Sequence, residues 1–163
     1  MASFVVTAGV SSNSTGMNLR ERRGDNLGTA LTGTTYAPGT VLGSLHQSGP
    51  WLAGLHDGTF NLVTQIWHRL GTNRWVNERL GDIRHMRRVS VITPVRQRTV
   101  NRAGVARTGP GTFFASTTGP NNGARVSPTH SINVDNLGLS SAGNRGVWVR
   151  IGTRRWIHSS RLN

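Results

Sequence analysis

Six histidines and six acidic residues are the side chains of this chain best suited to acid–base or metal chemistry, and they are scattered along it. Serine, histidine and aspartate are all present, but the Gly-x-Ser-x-Gly motif of a nucleophile elbow is absent. The nearest approach to a metal motif is His46, His56 and Asp57 in HQSGPWLAGLHD, and this spacing matches no zinc-binding pattern. Without cysteine there is no thiol nucleophile and no cysteine metal site. The sequence therefore predicts a protein that is not an enzyme and that uses no metal or cofactor.

A phrase rich in tryptophan and arginine occurs twice, as IWHRLGTNRWV at 66–76 and as VWVRIGTRRWI at 147–157. Six pairs of identical residues lie 81 positions apart, namely Trp67 and Trp148, Arg69 and Arg150, Gly71 and Gly152, Thr72 and Thr153, Arg74 and Arg155, Trp75 and Trp156. Upstream the offset grows to 86, where VVT at 5–7 precedes VIT at 91–93, and Leu19 and Leu27 fall on Val105 and Phe113. The pattern indicates a tandem duplication, with repeats at 1–83 and 88–163 joined by a basic linker at 84–87.

The charge balance is strongly basic, with 19 basic residues, all of them arginine, against 6 acidic ones. Such a surface attracts anions. Two explanations of the arginine-only usage stay open: selection for bidentate contacts with phosphate or carboxylate, and a coding bias of a genome rich in G and C. Arginine is locally concentrated at 84–98. The first interpretation of this stretch is a solvated basic face, and the second is a binding patch.

Short β-branched or alternating stretches, separated by Gly, Pro, Asn and Ser, predict an all-β fold without helices. Each half of about 80 residues is large enough for one small core. Several strands per half indicate a small antiparallel barrel or sandwich. No apolar run reaches the length of a membrane span, and the N-terminal segment lacks the features of a secretory signal.

The duplicated phrase predicts a hairpin in each repeat, with two strands joined by a tight Gly-Thr turn. Each hairpin brings two tryptophans close together. For Trp75 and Trp156 we expect a place in the core. For Trp67 and Trp148 two alternatives remain open, a place in the core and contact with a ligand.

The segment GVWVRIGTRRWIHSSRL at 146–162 resembles the closing segment of bacterial SH3-type domains, in which a Trp-containing strand, a Gly turn, a second Trp and a Ser-containing stretch follow one another. VARTGPGTFF at 105–114 is similar to that family's opening signature. The resemblance covers most of 88–163. The first repeat departs from it, with LRERRGDN at 19–26 in place of the Gly-Pro-Gly turn and an insertion near 45–58.

The resemblance implies two tandem SH3-like small barrels that bind bacterial cell wall peptidoglycan and catalyse no reaction, as in the targeting regions of phage endolysins and autolysins. The expected partner is peptidoglycan or another anionic wall polymer. The expected location of the protein is the bacterial surface or a virion. The ligand residues that it implies are Arg107, Thr108, Phe113, Phe114 and Trp148 in the second repeat, and Tyr36 and Trp67 in the first. The intact Gly-Pro-Gly turn predicts that the second repeat binds more strongly.

Two other classes of function remain alternatives. Small β-barrels also build assemblies, so a structural subunit of a phage virion, tail or surface layer is the second hypothesis, with self-assembly as its partner. Nucleic-acid binding fits the charge, but the sequence contains no recognised aromatic-basic reader motif.

Overall fold

A computed structural model describes residues 2–7, 18–54, 62–89, 98–99, 106–110, 116–117, 125–126, 130–132 and 148–161. In these residues the chain forms sixteen strands and one 3-10 turn at Ser159–Arg161, so the all-β prediction is confirmed. None of the helical structure in the described ranges is long and apolar enough to cross a membrane.

The strands are short and follow the alternating stretches of the sequence. In chain order they are β1 (Ala2–Val6), β2 (Leu19–Arg22), β3 (Leu31–Tyr36), β4 (Val41–Ser44), β5 (His46–Gly54), β6 (Leu62–Gly71), β7 (Arg74–Leu80), β8 (Ile83–Arg84), β9 (Met86–Val89), β10 (Arg98–Thr99), β11 (Ala106–Arg107), β12 (Ser116–Thr117), β13 (Arg125–Val126), β14 (His130–Ile132), β15 (Trp148–Gly152) and β16 (Arg155–His158).

The strands form four antiparallel sheets. The two larger ones have the orders β3-β2-β7-β6-β5, with β8 added beside β7, and β12-β11-β16-β15-β14. The smaller ones are β4-β1-β9 and β10-β13. In the part of the chain that the structure describes, these sheets do not close into a barrel.

The two larger sheets repeat the same connectivity, because each consists of a hairpin (β6-β7 or β15-β16) flanked by strands at equivalent places in the order. The residue pairs that close the hairpins are Gly71 with Arg74 and Gly152 with Arg155. The second turn residue is left-handed in both, Asn73 at φ 54° and Arg154 at φ 51°. The predicted duplicated hairpin is therefore confirmed. The upstream matches at 91–93, Val105 and Phe113 lie outside the described residues.

Residues 84–87, for which we expected a linker, contribute to strands: Arg84 ends β8, and Met86 and Arg87 begin β9. Strand β9 pairs with β1, and β1 pairs on its other edge with β4. The N-terminal strand is thus the centre of a three-stranded sheet.

Two clusters of buried apolar side chains lie on opposite faces of β1, because successive residues of a strand point to opposite sides. One belongs to the first repeat: Phe4, Val6, Leu19, Val76 and Met86. The other joins the repeats: Val5 and Val89 with Trp148 and Trp156, and Val41 packed against them. The repeats therefore share part of one core.

The turn at Pro38–Gly39 joins the first repeat to the second. The Pro38 carbonyl accepts a hydrogen bond from Arg154 Nε at 3.0 Å, and the Gly39 carbonyl accepts one from Trp156 Nε1 at 3.4 Å. Gly39 has φ +90°, and a Cβ on it would lie 1.6 Å from the carbonyl oxygen of Thr108. Only glycine fits at this contact.

We expect Gly39→Ala to loosen the contact between the repeats. The matched control is Gly33→Ala, because Gly33 has φ +92° and nothing within 4 Å of its added Cβ. Both substitutions carry the strain of a positive φ, about 1–2 kcal/mol. Gly39→Ala should cost roughly 1–3 kcal/mol more, as overpacking does. Urea unfolding of both variants measures the difference, and equal losses would contradict the close contact with Thr108.

Candidate functional site

The two larger sheets carry the same row of residue types across four neighbouring strands, and we call it the Arg-Trp row. In the first repeat it consists of Arg22, Trp75, Arg69 and His46, in the order of their pairing. In the second repeat it consists of Arg107, Trp156 and Arg150, and the backbone of His130 is paired opposite Arg150. Residues directly opposite one another on paired strands share a face of the sheet. Each of the two larger sheets therefore carries a tryptophan between two arginines.

The Arg-Trp row of the first repeat is open to solvent. Arg69 and His46 are exposed, while Trp75 and Arg22 are partly exposed. The His46 ring meets Trp75 edge-on, with 6.2 Å between the ring centroids. Arg22 is oriented by a 2.8 Å hydrogen bond from Nη1 to the carbonyl oxygen of Thr29. The row thus offers a flat aromatic surface beside cationic groups, which suits anionic and planar ligands.

The first repeat covers the tryptophan of the second row, while Arg107 and Arg150 stay partly exposed. Trp156 is 0% exposed and packs with Val5 and Val89. Its indole N–H is directed at the Gly39 carbonyl. The same residue types therefore form a surface in one copy and a junction in the other.

Two residues further along the strands of each hairpin, Trp67 pairs with Asn77 and Trp148 pairs with His158. Trp67 is 1% exposed, and its Nε1 donates to Gln65 Oε1 at 2.9 Å. Trp148 is 5% exposed and meets His158 edge-on, with 5.3 Å between the ring centroids. Both tryptophans are therefore buried in the core, and their contact with a ligand stays a prediction.

Three of the other residues predicted to bind ligand lie in the described part of the chain, and their contact with a ligand stays a prediction. Arg107 lies opposite Trp156, and the Thr108 backbone lies against Gly39, so both belong to the junction of the repeats. Tyr36 is in the first repeat, hydrogen-bonded to Glu21. Phe113 and Phe114 lie outside the described residues.

Glu21 is the centre of a buried polar cluster that ties β2, β3 and β7 together. Its carboxylate accepts hydrogen bonds from the Tyr36 hydroxyl at 2.5 Å, Thr32 Oγ1 at 2.8 Å and Arg74 Nε at 3.1 Å. Burial alone would raise the pKa of Glu21, but these hydrogen bonds and the Arg74 charge outweigh it and hold the pKa below its ordinary value. Burial and the bond to Glu21 raise the pKa of Tyr36.

A serine, a histidine and a glutamate also meet inside the first repeat. Ser44 Oγ lies 2.7 Å from His68 Nδ1, and Glu78 Oε1 lies 2.8 Å from Nε2. A nucleophile must reach its substrate, but Ser44 is 7% exposed and His68 1%. The Phe4 ring also covers the imidazole, with centroids 4.2 Å apart. The chain Ser44-His68-Glu78 therefore satisfies polar groups within the fold.

Metal ligands are not brought together in the described residues, where no group of three His, Asp or Glu side chains converges. Of the histidine and aspartate residues considered above, His56 and Asp57 lie outside these residues.

Weaker matches between the two repeats carry a signal for the Arg-Trp row in the sequence. His46 and His130 are 84 positions apart, and Arg22 and Arg107 are 85 apart, which are close to the offset of the tryptophans. Extending the repeat to these weaker matches identifies the row. The exposure of one copy only is a tertiary property and has no such signal.

No protein-family model, no curated protein and no solved structure matches this chain.

The lowered pKa of Glu21 makes stability depend on pH on the acidic side. Because the folded pKa lies below that of the unfolded chain, about 4.3, the stabilisation is present above that value and is lost as the pH falls through the folded pKa. Glu21→Gln should therefore be less stable than the natural chain at pH 7, and the gap should narrow toward pH 3. Denaturant unfolding across this range measures it. The exposed Asp82→Asn is the charge-matched control, and a gap that does not change with pH would contradict the assignment.

Proposed function

We propose that this chain is a non-catalytic binding module that attaches to the bacterial cell wall, through peptidoglycan or an anionic wall polymer. The proposal includes two SH3-like units, at 1–83 and 88–163, docked on one another. The observation that carries it is the open Arg-Trp row of the first repeat, with Trp75 beside Arg69.

The chemistry of the row suits such a polymer. An indole face gives a large contact area to a ring or an extended chain at low entropic cost. The guanidinium of Arg69 has no hydrogen-bond partner among the described residues and is free to meet carboxylate or phosphate. The formal net charge of +13 draws the protein toward a polyanion over a longer range.

The proposed absence of catalysis is supported by the burial of Ser44, whose hydroxyl contacts His68. Ser44 is 7% exposed and His68 is 1% exposed. The location that goes with this proposal is the bacterial surface, or a virion that reaches it.

The row is tested by sedimentation of the protein with purified peptidoglycan, before and after its phosphate polymers are removed. Trp75→Ala should weaken binding by about 1–3 kcal/mol, the range for an aromatic hot spot. Arg69→Ala should weaken it and reduce its salt dependence. The control is Arg88→Ala, which removes the same charge from an exposed position on β9.

Three outcomes would contradict the proposal in different ways. Equal losses for Trp75→Ala and Arg88→Ala would mean that net charge acts and the row does not. Binding to stripped peptidoglycan that disappears in moderate salt would leave only non-specific attraction. Tighter retention by a single-stranded oligonucleotide than by either wall preparation would favour nucleic acid as the partner.

A second candidate function, a subunit of a virion, tail or surface assembly, is favoured by apolar side chains at the surface. Leu52 is 65% exposed and Leu62 is 64% exposed. Leu52 lies opposite Thr64, and Leu62 lies opposite Gly54, so the two leucines are diagonal neighbours on one face of β5 and β6. A second copy of the chain is the occupant that self-assembly requires there.

Sedimentation velocity distinguishes the two candidates. If the leucine pair joins copies, the natural chain should form larger species as its concentration rises, and Leu52→Asp with Leu62→Asp should remain monomeric. A natural chain that is monomeric throughout removes this candidate. The same double variant should keep its wall binding if the Arg-Trp row is the binding surface.

A further inference from the structure

Two ring nitrogens of the second repeat are buried without a hydrogen-bond partner in the described part of the chain. They are Nε1 of Trp148 and Nε2 of His158. The two residues face each other across the β15-β16 hairpin, and their rings are in edge-on contact, with 5.3 Å between the centroids. The two unpartnered nitrogens therefore belong to rings in direct contact, and Trp148 lies at the junction of the repeats.

Both nitrogens are hydrogen-bond donors. The backbone N–H of Ser160 donates to His158 Nδ1 at 3.2 Å, so Nδ1 is an acceptor and the ring proton is on Nε2. Burial, together with the charge of Arg161, lowers the pKa of His158, which keeps the imidazole neutral at pH 7. An indole Nε1–H can only donate. The site thus presents two N–H groups and lacks an acceptor.

The first repeat has an acceptor at the equivalent place. Trp67 occupies the position of Trp148, and its Nε1 donates to the side-chain amide oxygen of Gln65 at 2.9 Å. The same offset of 81 aligns Gln65 with Gly146, and glycine has no side chain to offer. The duplication therefore shows which chemical group satisfies this tryptophan, and the aligned position of the second repeat does not supply it.

We propose that the Trp148–His158 pair is a binding site for a carbonyl-type oxygen, amide or carboxylate, of an incoming ligand. The buried donors are costly to leave unsatisfied, which favours occupation by an acceptor. The site is independent of the proposed wall target, because it specifies an acceptor group and not a polymer. Either proposal can fail without the other.

The test follows the indole N–H resonances of the whole chain by ¹H–¹⁵N NMR during titration with formamide and, separately, with formate. Trp148→Phe assigns the resonance of Trp148. We expect that resonance to shift saturably, while Trp67, already bonded to Gln65, stays in place. A response to formamide alone identifies an amide ligand, and a response to formate alone identifies a carboxylate. No shift with either probe, or equal shifts at Trp67 and Trp148, would overturn the proposal.

Three variants make the test specific. His158→Phe keeps the ring contact and removes one donor, so the dissociation constant of the probe should rise about threefold to tenfold. Gly146→Gln supplies the acceptor from within, so the Trp148 resonance should move without probe and no longer respond to it. If that variant does not fold, Gln65→Ala provides the reverse experiment, since it should create a response at Trp67. Absence of a response there as well would count against the proposal.

Discussion

The contact between the Pro38–Gly39 turn and the hairpin of the second repeat determines which surfaces of this molecule are available. The two carbonyls of the turn accept hydrogen bonds from Arg154 and Trp156, and the Gly39 backbone fits against Thr108 with no room for a side chain. Because this contact is made once, the duplicated sheets are not equivalent. The tryptophan of one Arg-Trp row is enclosed, and the tryptophan of the other is partly exposed to solvent.

The duplicated hairpins have also diverged in how their polar groups are satisfied. The first repeat is closed on itself: Trp67 bonds Gln65, and Asn77 Oδ1 lies 2.8 Å from His85 Nδ1. In the second repeat Trp148 and His158 hold donors that the described residues leave unmatched. A buried group needs a partner from the protein, from water or from a ligand. The difference between the copies is therefore a chemical difference in what each requires from outside.

The features that the sequence predicted are those with a local cause. Alternation of apolar residues and frequent turn residues predict the strands, and the repeated phrase predicts both hairpins, because strand and turn formation depends on neighbouring residues. The burial of Trp156 against Gly39 joins residues 117 positions apart and has no local signature. The basic residues at 84–87 indicated a linker, but a strand also keeps one face in water, so the same charges are compatible with β8 and β9. A place in the core was predicted for both Trp75 and Trp156, and their identical residue types gave no sign that Trp75 is partly exposed while Trp156 is enclosed.

The position of β1 has a consequence for the order in which the chain acquires its structure. This strand is synthesised before its partner β9, which ends at Val89, and the cluster around Val5 also needs Trp148 and Trp156. Contacts between segments so far apart in sequence form slowly, because a long loop must close before the contacts contribute stabilising free energy. During synthesis Val5 therefore lacks its buried surroundings until Trp156 has been made.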